Sequence, residues 1–584
     1  MSQRPTRHIQ SIDGLRALAV AAVLLYHLGL KWIPGGFLGV DLFFVISGYV
    51  ITRLILDNIE TSNGLNLRGF YMARARRLLP GLLFLISCST VLISIFAPDA
   101  IKRFLSDLPY VLTGTNNWRL VAVHQDYFQS SGRPPLLQHT WSLGVESQFY
   151  LIWPMILLAI WKYLGKASVA RIALIIAAGS GVALFLFSLR MDAQSASSIS
   201  HVYFGTDTHS IGLFLGSALA VFWIPQNLSA RITERAQDVV DGIGIFGLFG
   251  LLASFLFISE SNSALYKIAF PLSALFGCAA IASIVHPASR FAPIMGQKVL
   301  LWIGQRSYGI YLWHWVIFQF TRPSIDLAGE AWALDIFRIL LVVALADISL
   351  RFVEVPIRTG EVNHWLRGMK YRARSVRKRQ RIYLASFLAF LIVTTSTATS
   401  VAVYRANHFI KVNRQEMTLI QRPTEKLATG LWVTGDSIIL GVKDRLAKKY
   451  PIALINARVG RQIDELITVV KQDRLDAKGS PVVIDVGNNN RITESQLIEL
   501  LDLLKEQPQV ILINTSVPRP WKIPNNELVA RIAPTYSNVL LVDWATISNN
   551  HPEFFAPDGV HLVAQGGDVY TAAIVDALNG ILPQ

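Results

Sequence analysis

The sequence predicts a polytopic α-helical membrane domain followed by an α/β domain with a parallel sheet. Long apolar runs fill the chain up to about residue 404, and after about residue 428 short β-branched runs alternate with helical patterns. Serine and histidine motifs stand in that second part. The mean hydropathy is +0.41 and only 16% of residues are charged, which is too apolar for a soluble chain of 584 residues.

The apolar runs predict eleven membrane spans, because each holds about 20 mostly apolar residues, the length that crosses a hydrocarbon core. The first run is long and contains charged residues, so we expect it to stay in place as a span rather than act as a cleaved signal peptide. The runs lie at 12–30, 37–57, 78–97, 143–164, 169–189, 204–224, 239–258, 266–286, 299–320, 332–353 and 382–404.

These runs divide the chain into three predicted regions. Residues 1–358 form a membrane domain of about ten spans, and residues 359–427 hold a basic cytoplasmic loop, the eleventh span and a linker. Residues 428–584 form the second domain. The basic residues alternate between loops, so the positive-inside rule puts the N-terminus in the cytoplasm and the second domain outside. The loop 98–142 fits this topology least well, since it carries basic residues on the predicted outer side.

The net charge of +15 lies entirely in residues 1–404, because acidic and basic residues balance in residues 405–584. We therefore interpret the basic excess as membrane topology and expect a lipid bilayer, not nucleic acid, as the partner. The two cysteines, Cys88 and Cys278, both fall inside spans and predict neither a disulfide framework nor a metal site.

Three ionisable residues stand in the first span, where such groups are costly unless they are paired or face a water-filled cavity. Arg16 and His27 are eleven residues apart, close to three helical turns, and Asp13 lies one turn before Arg16. A histidine there is suited to take a proton near neutral pH. In the alternative interpretation, Asp13 and Arg16 are interfacial anchors and His27 only bonds a neighbouring carbonyl.

Several ordered motifs resemble the membrane acyltransferase-3 family over about residues 9–358. The resemblance implies transfer of an acyl group, usually acetyl from cytoplasmic acetyl-CoA, to an extracytoplasmic acceptor. It also implies that His27 is the base or acyl relay and that Arg16 helps to bind the donor. The motifs are Ser11–Arg16 with His27, Gly39–Gly48, Phe70–Arg77, His139–Tyr150, Ser307–His314 and Glu354–Pro356.

Other residues of these motifs are weaker candidates. Arg74 and Arg77 suit the phosphates of CoA, since guanidinium groups bind phosphate bidentately, although arginines after a span often only set topology. Glu146 either positions the acceptor or pairs with an arginine, and Asp13 and Asp41 are further candidates. For His314, between two tryptophans, an interfacial aromatic belt is the interpretation we favour. No motif predicts a metal or a bound cofactor.

The second domain shows strand patterns that alternate with helical ones. This alternation favours a parallel sheet covered by helices, with the site at the carboxyl ends of the strands. The predicted strands are Leu431–Gly435, Ile452–Asn456, Pro481–Gly487, Val510–Thr515 and Val539–Trp544, and the predicted helices cover about 438–449, 461–474, 494–506 and 567–579.

Candidate catalytic residues follow these strands. Ser437 comes at the turn into the first helix, His561 could take its proton, and Asp558 could orient the imidazole. Gly460 follows the second strand and Asn489 the third. The N–H groups of Ser437 and Gly460 and the amide of Asn489 would then form an oxyanion hole. By spacing alone, Asn488 or Asn490 could replace Asn489.

The order Ser, Gly, Asn and His resembles the SGNH hydrolase family, and the whole domain is most similar to the extracellular domain of peptidoglycan O-acetyltransferases. The resemblance implies a bacterial membrane enzyme that moves acetyl from acetyl-CoA to a cell-envelope glycan. Peptidoglycan is the expected acceptor, with O-antigen or another exported polysaccharide as the alternative. Two other classes stay open: an esterase with a membrane anchor, and a transporter or scaffold whose outer domain binds glycan.

Overall fold

The computed structural model describes residues 9–580 except 31, 63, 124–133, 192–195, 260–264, 323–330, 422–429, 518, 520 and 556–558. The described residues form two compact units, one before residue 405 and one from residue 405 onward. The first unit is helical, and the second is built around a sheet. The candidate Asp558 lies outside the described residues.

The helical unit consists of helices of very different lengths. Their bounds are α1 Gln10–His27, α2 Gly39–Ser62, α3 Leu67–Phe96, α4 Ile101–Thr113, α5 Asn116–Ala122, α6 Trp141–Leu164, α7 Lys166–Met191, α8 Ala196–Phe204, α9 Thr206–His209, α10 Ile211–Phe222, α11 Glu234–Phe257, α12 Phe270–Ile284, α13 Phe291–Met295, α14 Lys298–Phe320, α15 Ala331–Ile348, α16 Val355–Arg358, α17 Glu361–Gly368 and α18 Arg374–Met417.

Within the described part of the chain, seven helical segments are long and apolar enough to cross a membrane. They are Gly36–Thr61, Leu67–Phe96, Gln138–Leu164, Lys166–Leu189, Glu234–Phe257, Lys267–Ile284 and Arg374–Arg405. The predicted runs at 12–30, 204–224, 299–320 and 332–353 are helical too, but their helices are shorter or less apolar. Several apolar helices are thus confirmed, and the count of eleven spans stays a prediction.

Close packing between α1 and α14 brings the two helices that carry His27 and His314 together. A Cβ atom on Gly304 would lie 1.9 Å from the backbone oxygen of Asp13, so only glycine allows this approach. Small residues at helix contacts are a common means of bringing membrane helices together.

The second unit contains a six-stranded sheet with the strand order β1-β3-β2-β4-β5-β6. All neighbouring strands are parallel except the β1–β3 pair at one edge. Because the chain passes from β2 to β3 on one side and to β4 on the other, the end of β2 is a topological switch point, where α/β proteins bind ligands. The strands are β1 Thr418–Gln421, β2 Leu431–Gly435, β3 Ile452–Arg458, β4 Val482–Asp485, β5 Val510–Ile513 and β6 Val539–Val542.

Helices cover both faces of the sheet, and alternate strand residues belong to two separate apolar cores. Trp432 and Ile484 pack into one core, whereas Val433 and Val483 pack into the other. The five predicted strands and the parallel sheet are confirmed; the edge strand β1 and the helix α22 escaped sequence reasoning. The helices are α19 Ser437–Ala447, α20 Ile463–Asp473, α21 Glu494–Leu504, α22 Lys522–Ile532, α23 Trp544–Ile547 and α24 Ala564–Leu578.

Candidate active sites

The helical unit contains two adjoining cavities that share an arginine-rich wall. The larger has a volume of about 540 Å³ and the smaller about 70 Å³. Arg16 from α1 and Arg74 and Arg77 from α3 line both of them. The three arginines that the sequence analysis gives as donor-binding candidates therefore line one space, although they come from two helices.

The guanidinium groups of these arginines have few hydrogen-bond or ion-pair partners among the described residues. Arg16 makes one contact of 3.5 Å with the carboxylate of Asp13, and the Nε atom of Arg74 is buried without a hydrogen-bond partner. In the part of the chain that the structure describes, neither Arg74 nor Arg77 donates a hydrogen bond to protein. Buried guanidinium groups with free donors fit a phosphate-bearing ligand, because phosphate accepts bidentate hydrogen bonds.

Glu146 lines the smaller cavity opposite these arginines. The hydroxyl of Ser47 donates to its Oε1 atom at 2.5 Å, and the Tyr150 hydroxyl lies 3.1 Å from Ser47 Oγ. The structure brings Glu146 into the same cavity as Arg16, Arg74 and Arg77, but without a direct ion pair among the described residues.

His27 ends α1 within a cluster of rings. Its Nδ1 atom lies 2.9 Å from the backbone oxygen of Val23 and 3.3 Å from Nε2 of His314. Its ring packs edge-on against Trp315, and His139 packs against His314. His27 is not among the residues that line either cavity. The aromatic-belt interpretation of His314 is wrong, because this side chain is only 1% exposed and lies inside the helical unit.

Two acidic candidates of the helical unit have basic partners, one on the same helix and one on another element. Asp41 lies 3.0 Å from Nε2 of His209, and both side chains are buried. Neither residue lines the two arginine-rich cavities. Asp13 is buried against Arg16 and lines the larger cavity. This arrangement favours a packing role for Asp41 and keeps Asp13 at the candidate site.

In the sheet unit, Ser437 is the first residue of α19, directly after β2. Asp436 caps this helix, since its Oδ1 atom accepts a hydrogen bond of 2.9 Å from Ile438 N–H. Ser437 is half-buried at the switch point of the sheet. A hydroxyl at a helix N-terminus faces the positive end of the helix dipole, which favours a nucleophile that gains negative charge.

Arg461 links the nucleophile loop, which we define as Gly435–Ser437, to the end of β3. Its guanidinium donates to the backbone oxygens of Gly435 at 3.1 Å and Asn456 at 2.7 Å, and also to Asn456 Oδ1 at 2.9 Å. The side chain is buried, and this burial lowers the pKa of Arg461. Sequence reasoning missed this residue, since only the fold brings it below Gly435. The preceding Gly460 has a φ of +72°, a conformation that suits glycine.

The structure separates the three consecutive asparagines after β4. Asn488 is buried and donates to Asp485 Oδ2 at 3.0 Å, whereas the Oδ1 atom of Asn490 accepts from the N–H of Ile463. Asn489 donates to Asp436 Oδ2 at 2.5 Å and to the backbone oxygen of Arg461 at 3.2 Å. Asn489 is therefore the asparagine that contacts the residue next to Ser437.

His561 lies three residues before the start of α24. Its side chain is exposed, and it lies close enough to Asp436 for its charge to lower the pKa of that carboxyl, which burial raises above its ordinary range. The structure thus brings Ser437, Gly460, Asn489 and His561 to one edge of the sheet. Parallel strands end at that edge, which explains how distant segments meet there.

Comparison with known proteins identifies the family of this chain. The model of an acyltransferase family, described as "Acyltransferase domain" (Acyl_transf_3), matches residues 9–351. The chain is 32% identical to "Peptidoglycan O-acetyltransferase OatA" of Listeria monocytogenes, over 98% of each chain. It is 33% identical to "O-acetyltransferase OatA" of Staphylococcus aureus, over 98% of this chain and 96% of that one.

Two further comparisons give similar results. The chain is 30% identical to "Putative peptidoglycan O-acetyltransferase YrhL" of Bacillus subtilis, over 98% of this chain and 99% of that one. Among solved structures, the C-terminal catalytic domain of Streptococcus pneumoniae peptidoglycan O-acetyltransferase A matches 26% of this chain and 95% of that chain. That match has 23% identity and a TM-score of 0.25.

Proposed function

Because the chain belongs to the acyltransferase-3 family and is an O-acetyltransferase, we propose that it acetylates peptidoglycan outside the bacterial cytoplasmic membrane. Cytoplasmic acetyl-CoA is the proposed donor, and hydroxyl groups of muramyl residues are the proposed acceptors. The relatives from Listeria monocytogenes and Bacillus subtilis, which match 98% of this chain, carry peptidoglycan in their names. That likeness supports this acceptor over another envelope polysaccharide.

The observation that carries the proposal is the arginine-lined cavity pair of the helical unit. An esterase that is merely anchored in a membrane needs one span and no internal cavity. Here Arg16, Arg74 and Arg77 line a cavity of about 540 Å³, the size that small-molecule sites occupy. Among the described residues, Arg74 and Arg77 donate no hydrogen bond to protein. The phosphates of acetyl-CoA match these donors in charge and geometry.

In the proposed reaction, the acetyl group passes through Ser437. Ser437 Oγ attacks the carbonyl of the acetyl group that the helical unit delivers, so the bond from Oγ to acetyl forms as the bond from acetyl to the delivering group breaks. His561 takes the hydroxyl proton and gives it to that leaving group. A sugar hydroxyl next attacks the acetyl-serine, and its proton passes to His561 and back to Ser437 Oγ. The N–H groups of Ser437 and Gly460 stabilise the oxyanion, and the amide of Asn489 joins them by giving up its hydrogen bond to Asp436 or to the backbone oxygen of Arg461.

Substitution of the nucleophile tests this proposal. Ser437→Ala should abolish O-acetylation of muropeptides, measured by mass spectrometry of peptidoglycan from complemented deletion cells. Loss of a catalytic serine lowers the rate by about 10⁶-fold in a comparable triad. Ser495→Ala, an exposed serine in α21, is the matched control and should leave acetylation unchanged.

Three outcomes would contradict the proposal in different ways. Unchanged muropeptide acetylation in Ser437→Ala would exclude the serine mechanism. If Ser437→Ala instead loses acetyl groups from another envelope polysaccharide, then peptidoglycan is not the acceptor. If the purified full-length protein only releases acetate from peptidoglycan and never consumes acetyl-CoA, then it is an esterase.

A further inference from the structure

Two carboxyl groups are buried directly below the nucleophile loop. Asp436 and Asp485 are 5% and 3% exposed, and Asp485 Oδ1 accepts a hydrogen bond of 3.1 Å from the N–H of Asp436. A Cβ atom on Gly435 would lie only 1.9 Å from the same Oδ1 atom. The carboxyl of Asp485 therefore packs against the two residues that precede Ser437.

All the hydrogen bonds from side chains to these carboxyls come from neutral donors. Asn488 donates to Asp485, and Asn489 donates to Asp436. The nearest guanidinium, that of Arg461, donates its hydrogen bonds to neutral oxygen atoms of Gly435 and Asn456. Within the described ranges, no Lys, Arg or His nitrogen lies within 4.0 Å of either carboxyl.

Two adjacent buried carboxyls without a cation cannot both be ionised, because each charge loses its hydration and repels the other. Burial raises the pKa of Asp436, and burial together with the neighbouring Asp436 raises the pKa of Asp485 well above its ordinary range. Of the two carboxyls, Asp485 has the more strongly raised pKa, so we expect the proton that such a pair retains to lie on Asp485.

The other charged or titratable groups near Asp436 and Asp485 do not neutralise the second carboxylate charge. Tyr570 of α24 is buried beside it, and burial and the two carboxyls raise the pKa of this phenol well above its ordinary range. His561 favours the anion of Asp436 rather than that of Asp485. Arg461 attracts the Asp485 charge but makes no ion pair with it.

We propose that Asp485 is a positioning residue that holds Ser437 in place through a retained carboxyl proton. The protonated carboxyl donates its O–H to the Asp436 carboxylate, while Asp485 Oδ1 accepts the Asp436 N–H. The residue before Ser437 is thus held by both its backbone and its side chain. This inference rests on the proposed function, since it concerns the serine that would carry the acetyl group.

The proposal has a definite pH dependence. Because the pKa of Asp485 is raised, the proton is present below that pKa and is lost as the pH rises through it. Ionised Asp485 would then repel Asp436, disturb the cap of α19 and move Ser437 away from its reactive position. Ester cleavage by Ser437 should therefore fall at alkaline pH.

The test uses the full-length enzyme in detergent and hydrolysis of p-nitrophenyl acetate as a function of pH, with Ser437→Ala as the background. Asp485→Asn is neutral, keeps the shape of the protonated acid and should keep kcat within a few-fold while losing the alkaline decline. Asp485→Ala should lower kcat by about 10²-fold with little change in KM, the cost of a nucleophile displaced by about 1 Å.

Asp543→Asn is the matched control, because Asp543 also caps a helix but is exposed and has no carboxyl neighbour in the described residues. It should keep the wild-type pH profile. An infrared band of a protonated carboxylic acid, present at neutral pH in wild type and missing in Asp485→Ala, gives a readout that does not depend on activity.

Different results would overturn different claims. The proposal fails if Asp485→Asn shows the same alkaline decline as wild type, if Asp485→Ala keeps the wild-type kcat, or if the infrared band is unchanged in Asp485→Ala. Esterase activity that survives intact in Ser437→Ala would instead contradict the proposed function.

Discussion

The arginines of the helical unit and the central arginine of the sheet unit are used in opposite ways. Arg74 has a buried Nε atom without a partner and faces two cavities. Arg461 donates three hydrogen bonds to fixed protein oxygens and lines neither of those cavities. The Nε atom of Arg461 has no hydrogen-bond partner either, so the difference lies in the other guanidinium donors. It teaches that a guanidinium beside a cavity without any hydrogen bond to the described protein indicates a binding role, whereas one that donates three such bonds shapes its surroundings.

The histidines of the two units differ in the same sense. The described contacts of His27 are a backbone oxygen and the rings of His314, Trp315 and Tyr26, all deep in the helical unit. His561 is exposed and faces a carboxylate. We infer that each unit has its own base, one half-buried among aromatic rings and one exposed to solvent. The predictions below test this division.

The largest expected effect comes from separating the two bases. His27→Gln should lower O-acetylation of peptidoglycan by about 10²- to 10⁴-fold, the range that a general base contributes. Hydrolysis of p-nitrophenyl acetate by the same purified protein should stay unchanged, because that reaction needs only Ser437 and His561. Muropeptide mass spectrometry and the ester assay measure the two activities.

The matched control is His286→Gln, which changes another buried histidine of the helical unit that lines neither cavity. Its muropeptides should remain acetylated. Wild-type acetylation in His27→Gln would break the comparison, since the helical unit would then need no base at this position. Loss of ester hydrolysis in the same variant would show that the units are not chemically separate.

A smaller effect is expected from Arg461. Arg461→Met removes the support of Gly435 and should lower kcat for p-nitrophenyl acetate by about 10²-fold through misplacement of Ser437. Arg461→Lys should recover part of the loss, because an ammonium group can still donate to backbone oxygens. A low concentration of guanidinium ions should raise the rate of Arg461→Ala, which a general folding defect would not predict.

Arg531→Met is the control for Arg461, since Arg531 forms an exposed pair with Glu494. Exposed pairs contribute little to stability, so this variant should behave as wild type. If Arg461→Met and Arg531→Met lower kcat equally, then the loss reflects a general sensitivity of the sheet unit to removal of an arginine and not a specific role of Arg461. Full activity in Arg461→Met would show that the nucleophile loop needs no support from below.

The sequence predicted the parts of the fold that depend on local pattern. Short β-branched runs gave all five parallel strands, and the turn after β2 gave the position of Ser437. The edge strand Thr418–Gln421 escaped because it directly follows the 44-residue helix α18 and lies in the segment that the sequence analysis assigned to a linker. Its pairing with β3 depends on a contact between distant segments, which no local pattern records.

The candidate sites show the same limit. Spacing alone could not choose among Asn488, Asn489 and Asn490, but each meets a different partner once β2, β3 and β4 lie side by side. Arg461 stands in a polar turn after β3 and Asp485 at the end of the apolar strand β4, and neither local pattern distinguishes these residues from other polar ones. Their roles come from burial against Gly435, and burial is a property of the assembled sheet.

The smallest effect tests the binding side of the comparison. Arg74→Gln should raise KM for acetyl-CoA by about tenfold in the full-length enzyme, because a charged hydrogen bond contributes about 1.5–3 kcal/mol. An assay with radiolabelled acetyl-CoA measures this KM directly, and kcat for p-nitrophenyl acetate should not change.

Arg76→Gln is the matched control, since Arg76 lies on the same helix but lines neither cavity. If both variants raise KM equally, then the arginines act through net charge near the membrane. If only Arg74→Gln does so, the unsatisfied guanidinium is the group that holds the donor.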